Sequence, residues 1–181
     1  MNNHMKSQSI EIKPFSKHHI PEIVSSFDAH LWPKPIETFE TYWNEQEKGE
    51  RLIWLAYYEN LFAGYITLKF ESYYKPFLDK NIPEIMDLNV LPPFRNKGIG
   101  AILLDHAENE AFKKSNIIGL GVGLYKDYGS AQKIYVKRGY IPDGLGVTYN
   151  YLPIIPGSNV CLDDDLILWF IKKEAKGPFF I

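Results

Sequence analysis

The chain has 181 residues, 45% hydrophobic and 15% aromatic, with a formal net charge of −2 and one cysteine, Cys161. That length and composition fill one core of ordinary size, and a weakly acidic balance offers no global field to nucleic acid or to an anionic membrane. A lone cysteine excludes an internal disulfide framework and a multi-cysteine metal site, which fits a reducing compartment and predicts a cytoplasmic protein.

Residues 1–8 are polar, lack the apolar stretch of a secretory signal, and read as disordered or as a leader ahead of a single domain. No segment approaches the ~20 apolar residues that span a bilayer. Ser9 to Phe15 alternates and predicts a first strand; Ser16 then caps a helix carrying Ile20, Ile23, Val24 and Phe27, with Pro21 in its first turns. A second helix is expected from Ile36 to Lys48, with Gly49 near its end. Arg51 to Tyr58 and Leu61 to Glu71, joined by Glu59-Asn60, read as an antiparallel hairpin. Tyr73 to Pro83 reads as an aromatic loop leading into a fourth strand.

That strand runs from Ile85 to Leu91, stops at Pro92-Pro93, and is followed by a short basic turn, Arg95-Asn96-Lys97-Gly98-Ile99-Gly100, and an amphipathic helix with Ile99, Leu103, Ala107 and Ala111 in one stripe. Free N–H groups and the positive end of the helix dipole converge where Gly98 and Gly100 keep side chains away, so a phosphate can sit against the backbone; Arg95 and Lys97 add charge. Neither the nucleotide-triphosphate loop nor the dinucleotide Gly-x-Gly-x-x-Gly pattern occurs, and Gly119-Leu120-Gly121-Val122-Gly123 fits a fifth strand, Ile117 to Leu124, better than a cofactor loop. A further helix starts near Asp127, a plausible cap, and ends at Lys137-Arg138-Gly139, with Gly139 suited to the left-handed position. A sixth strand within Tyr140 to Tyr151, a Pro/Gly-bearing loop and a last strand, Leu166 to Lys172, complete the order. Cys161 reads as a small, half-buried residue at the start of a strand.

The turn at Arg95 to Gly100 resembles the Arg/Gln-x-x-Gly-x-Gly/Ala loop of the GNAT superfamily of acyl-coenzyme A N-acyltransferases, and the order of elements is similar to that of the same fold. The resemblance implies an α+β protein with a mixed, mostly antiparallel sheet of six to seven strands, a central parallel β-α-β unit and a splay between strands four and five. It also implies acetyl-coenzyme A as co-substrate, without a metal. Leu88, Asn89 and Val90 would run along the pantetheine arm, with the amides of Leu88 and Val90 facing it as a neighbouring strand would. The backbone of Arg95, Asn96, Lys97, Gly98, Ile99 and Gly100 would hold the diphosphate.

Ala131, Tyr135, Gly139 and Tyr140 match the family's Ala-x-x-x-Tyr-x-x-x-Gly-Phe/Tyr helix, which implies that Tyr135 protonates the departing thiolate: a phenol near pKa 10 is still protonated at neutral pH, and the thiol lies near 8.5. The family's asparagine seven residues earlier is Tyr128 here, and Ser130 or Lys133 would replace its coenzyme contact. An amine acceptor arrives as an ammonium, so a base is required. Glu84, eleven residues before Arg95, has the spacing of the family's strand-four glutamate; Asp87 is the second candidate, although alternation turns it to the opposite face unless a bulge intervenes. A strand-four amide would stabilise the developing oxyanion.

The histidines His18, His19, His30 and His106 read as surface residues, and Asp163-Asp164-Asp165 as a solvated turn in preference to a calcium or cation site. The acceptor is expected to be a small-molecule amine or a peptide, and the protein a monomer or homodimer with no nucleic-acid or membrane partner. Trp32, Trp43, Tyr73, Tyr74, Phe77, Tyr149 and Tyr151 are positioned to meet an acceptor. Two alternatives stand beside this reading: a non-catalytic coenzyme A binding module, and an acyltransferase acting on a macromolecule.

Overall fold

The structure, a computed structural model, describes residues 9–175; residues 1–8, expected to be disordered or a leader, and 176–181 lie outside the described residues. In chain order the elements are β1 (Ile10–Pro14), α1 (Ile20–Asp28), α2 (Ile36–Glu47), β2 (Arg51–Tyr58), β3 (Leu61–Lys69), α3 (Lys75–Leu78), β4 (Glu84–Val90), α4 (Ile99–Phe112), β5 (Ile117–Gly123), α5 (Gly129–Lys137), β6 (Ile141–Tyr149), β7 (Leu152–Pro153) and β8 (Leu166–Lys173). The eight strands form one sheet in the order β1-β2-β3-β4-β5-β8-β6-β7. It is the expected mixed, mostly antiparallel α+β arrangement, with β4 and β5 parallel through a short ladder that joins Glu84 to Gly119 and Ile85 to Leu120. The eighth strand beyond the expected six to seven is the two-residue β7, paired to the end of β6.

The chain divides into two compact units: the described residues up to Thr67 together with Asp87–Ala107, and Leu68–Met86 together with the described residues from Glu108. In the first unit, Ile20, Ile23 and Phe27 of α1 and Phe39 of α2 bury one stripe each against Ile53, Leu55, Tyr57, Phe62 and Tyr65 of the β2–β3 hairpin. The hairpin closes through Glu59 and Asn60, both left-handed (φ 49° and 66°), the pairing that matches strand twist. Ser16, expected to cap α1, instead caps a separate 3-10 turn, Lys17–His19, and His19 is the cap of α1; Ser16 N–H donates to His19 Nδ1 (3.0 Å), and its carbonyl accepts the His19 N–H (3.0 Å). Arg51 is buried, its Nε donating to Glu45 Oε2 (2.5 Å) and its Nη1 to Thr67 Oγ1 (2.6 Å), so the charge is compensated.

In the second unit β5 is a strand, as read, and its glycines are explained by packing. A Cβ on Gly119 would lie 2.1 Å from the Phe77 ring, and one on Gly123 would lie 2.5 Å from the Tyr128 ring. Tyr73 to Pro83, expected to be a loop, contains α3, with Pro76 in the first turn where its missing N–H costs nothing. Tyr74 stacks on Trp169 at 4.1 Å, and Phe77 meets the same indole edge-on at 5.4 Å. Two local expectations need correction. α5 begins at Gly129 with Tyr128 as its cap, because Lys126–Tyr128 forms a separate 3-10 turn that absorbs Asp127. Cys161 is exposed in the stretch between β7 and β8, five residues ahead of the strand.

The α5 terminus behaves as its sequence predicts, with Gly139 left-handed (φ 86°) and Tyr140 N–H closing on Tyr135 carbonyl oxygen (3.1 Å). Nothing lies within 4 Å of a Cβ built on Gly139. Gly139→Ala is therefore expected to cost about 1 kcal/mol through backbone strain alone, measured as a lower urea midpoint with unchanged slope.

Candidate active site

Eight residues, 91–98, separate β4 from the free end of α4 in the first unit. Leu91 N–H bonds Ala63 carbonyl oxygen (2.9 Å), Pro92–Phe94 makes a 3-10 turn, and the backbone then passes through left-handed Asn96 (φ 61°) and Gly98 (φ 82°) into the helix. The Ala101 and Ile102 N–H groups both return to Gly98 carbonyl oxygen (3.1 and 3.2 Å). Among the described residues, no acceptor pairs with the N–H groups of Gly98, Ile99 and Gly100. Ile99 itself is a core residue, so only its main chain is available to a ligand.

The space around these donors is open. A Cβ on Gly98 meets nothing within 4 Å, and one on Gly100 makes ordinary contact with Leu88 Cδ2 (3.9 Å) and Val90 Cγ2 (4.0 Å). Packing within the chain therefore does not demand glycine at position 100, whereas close approach of an outside anion does. Arg95 and Lys97 are docked on the loop's own surroundings. Arg95 Nε donates to Val90 carbonyl oxygen (3.0 Å) with its guanidinium 5.7 Å from the Trp32 ring, and Lys97 Nζ sits 4.7 Å from the Tyr58 ring. Arg95 thereby ties the loop to the strand. Asn96 is exposed.

Upstream, β4 carries a left-handed residue, Asp87 (φ 51°), and at such a position simple alternation fails. Asn89 is buried, with its Nδ2 donating to Asp87 carbonyl oxygen (3.2 Å), and Leu88 and Val90 are half-buried. Opposite Asn89 stands Gly64 of β3, where a Cβ would lie 2.1 Å from Asn89 carbonyl oxygen. The Asp87 carboxylate accepts a hydrogen bond from Tyr42 Oη at Oδ2 (2.5 Å). Burial, then the neighbouring Asp87 charge, push the Tyr42 phenol far above its usual range, so it is a donor at every physiological pH.

The second unit holds the remaining candidates. Glu84 is buried and accepts a hydrogen bond from Ser72 Oγ (2.5 Å), which in turn accepts Tyr74 N–H (2.9 Å). Tyr135 is buried on α5 with its ring edge-on to Tyr140 at 5.8 Å; Ser130 and Lys133 are exposed on the same helix. Tyr128, at the family's asparagine position, donates to Asp164 Oδ1 (3.0 Å), as does Tyr125. Tyr149 Oη donates to Asp163 Oδ2 (2.9 Å). The aspartate run is thus a turn laced to tyrosines. Asp164's hydrogen bond, the largest cause, pushes Tyr125 up to about 12.

Of the aromatic candidates for acceptor contact, Trp32 and Trp43 pack on the first unit's core and Tyr74 and Phe77 are core residues of the second. Tyr73 and Tyr151 remain at the surface, their rings 5.9 Å apart. Among the described residues no group of three or more His, Cys, Asp or Glu could hold a metal ion, and no helix is long and apolar enough to cross a membrane.

A parallel β4–α4–β5 unit whose helix opens on a glycine turn with unpaired main-chain donors defines the class of this α+β protein, and comparison with known proteins specifies it further. The profile of the acetyltransferase (GNAT) family matches residues 20–140. The chain belongs to that family, and it is an acyltransferase. Among solved structures, it is similar to the ribosomal-protein-S18-alanine N-acetyltransferase from Escherichia coli (16% identity, 96% of this chain and 99% of that chain covered, TM-score 0.65). It is also similar to an N-acetyltransferase from Staphylococcus aureus Mu50 (16%, 91% and 98%, 0.67) and to YncA from Salmonella typhimurium with its cofactor acetyl-CoA (13%, 93% and 96%, 0.64). No curated protein matches the chain.

Proposed function

We propose that the protein transfers an acetyl group from acetyl-coenzyme A to a primary amine by direct attack in a ternary complex, its whole length acting as one acetyltransferase domain in the cytoplasm. The observation that carries this is the trio of unpaired N–H groups at Gly98, Ile99 and Gly100 at a helix start, with open space at the Cβ position of Gly98. These amides, with Arg95, Asn96 and Lys97 around them, hold the diphosphate, and the Leu88, Asn89 and Val90 stretch runs along the pantetheine arm. Acetyl-coenzyme A supplies the acetyl group as a thioester. Tyr135 gives its phenolic proton to the departing thiolate, Ser130 and Lys133 supply coenzyme contacts, and Glu84 accepts a proton from the amine, with Asp87 as the second candidate.

The acceptor is a small amine or a peptide N-terminus. The Escherichia coli and Brucella melitensis proteins of similar fold are named for ribosomal-protein alanine, which makes an alanine-first peptide a natural probe. The test is release of free thiol from acetyl-coenzyme A with spermidine, glycinamide and an alanine-first hexapeptide. At least one is expected to raise thiol release well above hydrolysis. Tight coenzyme A binding without stimulation by any amine would instead identify a non-catalytic binding module.

A further inference from the structure

A ladder of aromatic rings runs through the second unit. Phe77 and Tyr74 pack on the Trp169 indole, Tyr151 lies 5.9 Å from that indole, and Tyr73 lies 5.9 Å from Tyr151. The inner three are core residues, whereas Tyr73 is 54% and Tyr151 38% exposed. The inner end reaches the start of β4. Ser72 Oγ accepts the Tyr74 N–H and donates to Glu84, and the Phe77 ring fills the space left by Gly119, the residue paired with Glu84. Tyr73 is therefore the immediate neighbour, along the chain, of the serine that holds the candidate base.

The backbone under Tyr151 does not suit its side chain. Asn150 and Tyr151 are the two central residues of the β6–β7 hairpin, both left-handed (φ 50° and 65°), and such a turn favours glycine at its second place. A large ring kept at a strained, exposed position is a sign of use, since the turn itself gains nothing from it. The local charges disfavour a cation as its partner. Lys69 Nζ already lies over the Tyr73 ring at 4.7 Å. The Asp143 carboxylate accepts from Tyr74 Oη (2.9 Å) and from Leu145 N–H (2.9 Å), one bond to each oxygen.

We infer that the Tyr73–Tyr151 pair is the subsite for a flat apolar group borne by the acceptor amine; this rests on the acyl-transfer reading above. A ring laid against two rigid tyrosines leaves water at little cost in side-chain freedom, and edge-to-face contact adds to the area buried. A polycation gains nothing there, because its second ammonium meets Lys69 while Asp143 is already engaged. The site thus selects aryl-bearing amines over polyamines and over amines with no side group.

The experiment uses the full chain with two matched probes, phenylalaninamide and glycinamide, which share the nucleophile and differ by one benzyl group; spermidine and the alanine-first hexapeptide complete the set. The parent is expected to show a kcat/KM for phenylalaninamide at least about tenfold above that for the other three. Tyr151→Gly suits its backbone and should keep or raise the urea midpoint, yet it should bring phenylalaninamide to within about threefold of glycinamide through KM. Glycinamide KM and coenzyme A affinity by calorimetry should stay within about twofold. Tyr73→Ala should act in the same way, and Tyr151→Phe should retain the parental preference because the ring face makes the contact. A parent that uses any other probe as well as phenylalaninamide, a preference that survives Tyr151→Gly, or an equal KM rise with glycinamide would each overturn the proposal while leaving acyl transfer intact. Thiol release from none of the four amines, although coenzyme A binds, would end the acyl-transfer reading and the subsite with it. Should Tyr73→Ala not fold, Tyr151→Gly decides the question by itself.

Discussion

Tyr135→Phe is expected to lower kcat about 100-fold or more while coenzyme A affinity stays within about twofold. The substitution removes one oxygen and keeps the ring, which packs edge-on against Tyr140 at 5.8 Å within a buried surface. Helix α5 therefore has no reason to move, and a loss confined to kcat reports the missing proton rather than a damaged site. Steady-state kinetics with the best probe amine, paired with calorimetry, measure both quantities. A variant with parental kcat removes the acid role from Tyr135.

The second large effect is on folding. Gly64→Ala places a Cβ 2.1 Å from a main-chain oxygen, that of Asn89, and 3.0 Å from Val90 Cα. Neither atom is the tip of a flexible side chain, so β3 and β4 must separate just where Leu91 N–H bonds Ala63 carbonyl oxygen. A loss of at least about 3 kcal/mol is expected, beyond the ordinary range for a surface change. Chemical denaturation of the variant checks it. Stability within about 0.5 kcal/mol of the parent would mean that the two backbones do not approach as described.

These two residues show what a sequence of this kind discloses. The helix that carries Tyr135 was legible because its pattern, Ala131 to Tyr140, is local and its spacing fixes one face. The loop at Arg95 to Gly100 was legible for the same reason: strand, proline stop, glycine turn and helix follow each other within a few residues. Glycine inside the strand at position 64 was a visible signal of close approach, but its partner Asn89 is twenty-five residues away and nothing local names it. Tyr42 was further out of reach, since the contact with Asp87 spans forty-five residues and involves a strand residue in a left-handed conformation that no local pattern announces. The short helix α3 escaped because Tyr74 and Phe77 look like loop aromatics until Trp169, from the last strand, gives them a stacking partner. Asp127 appeared to be a cap because aspartate suits that position, yet the 3-10 turn moved the helix start two residues on. Short-range chemistry was thus readable, and long-range pairing was not.

The central claim is that main-chain donors at the start of α4 grip the coenzyme diphosphate. Backbone amide chemical shifts, followed as coenzyme A is titrated into the labelled protein, test it most directly. The N–H resonances of Gly98, Ile99 and Gly100 are expected to show the largest downfield displacements and to saturate together, while pantetheine, which lacks the diphosphate, leaves them near their starting positions. Saturating coenzyme A with those three amides unmoved would contradict the account.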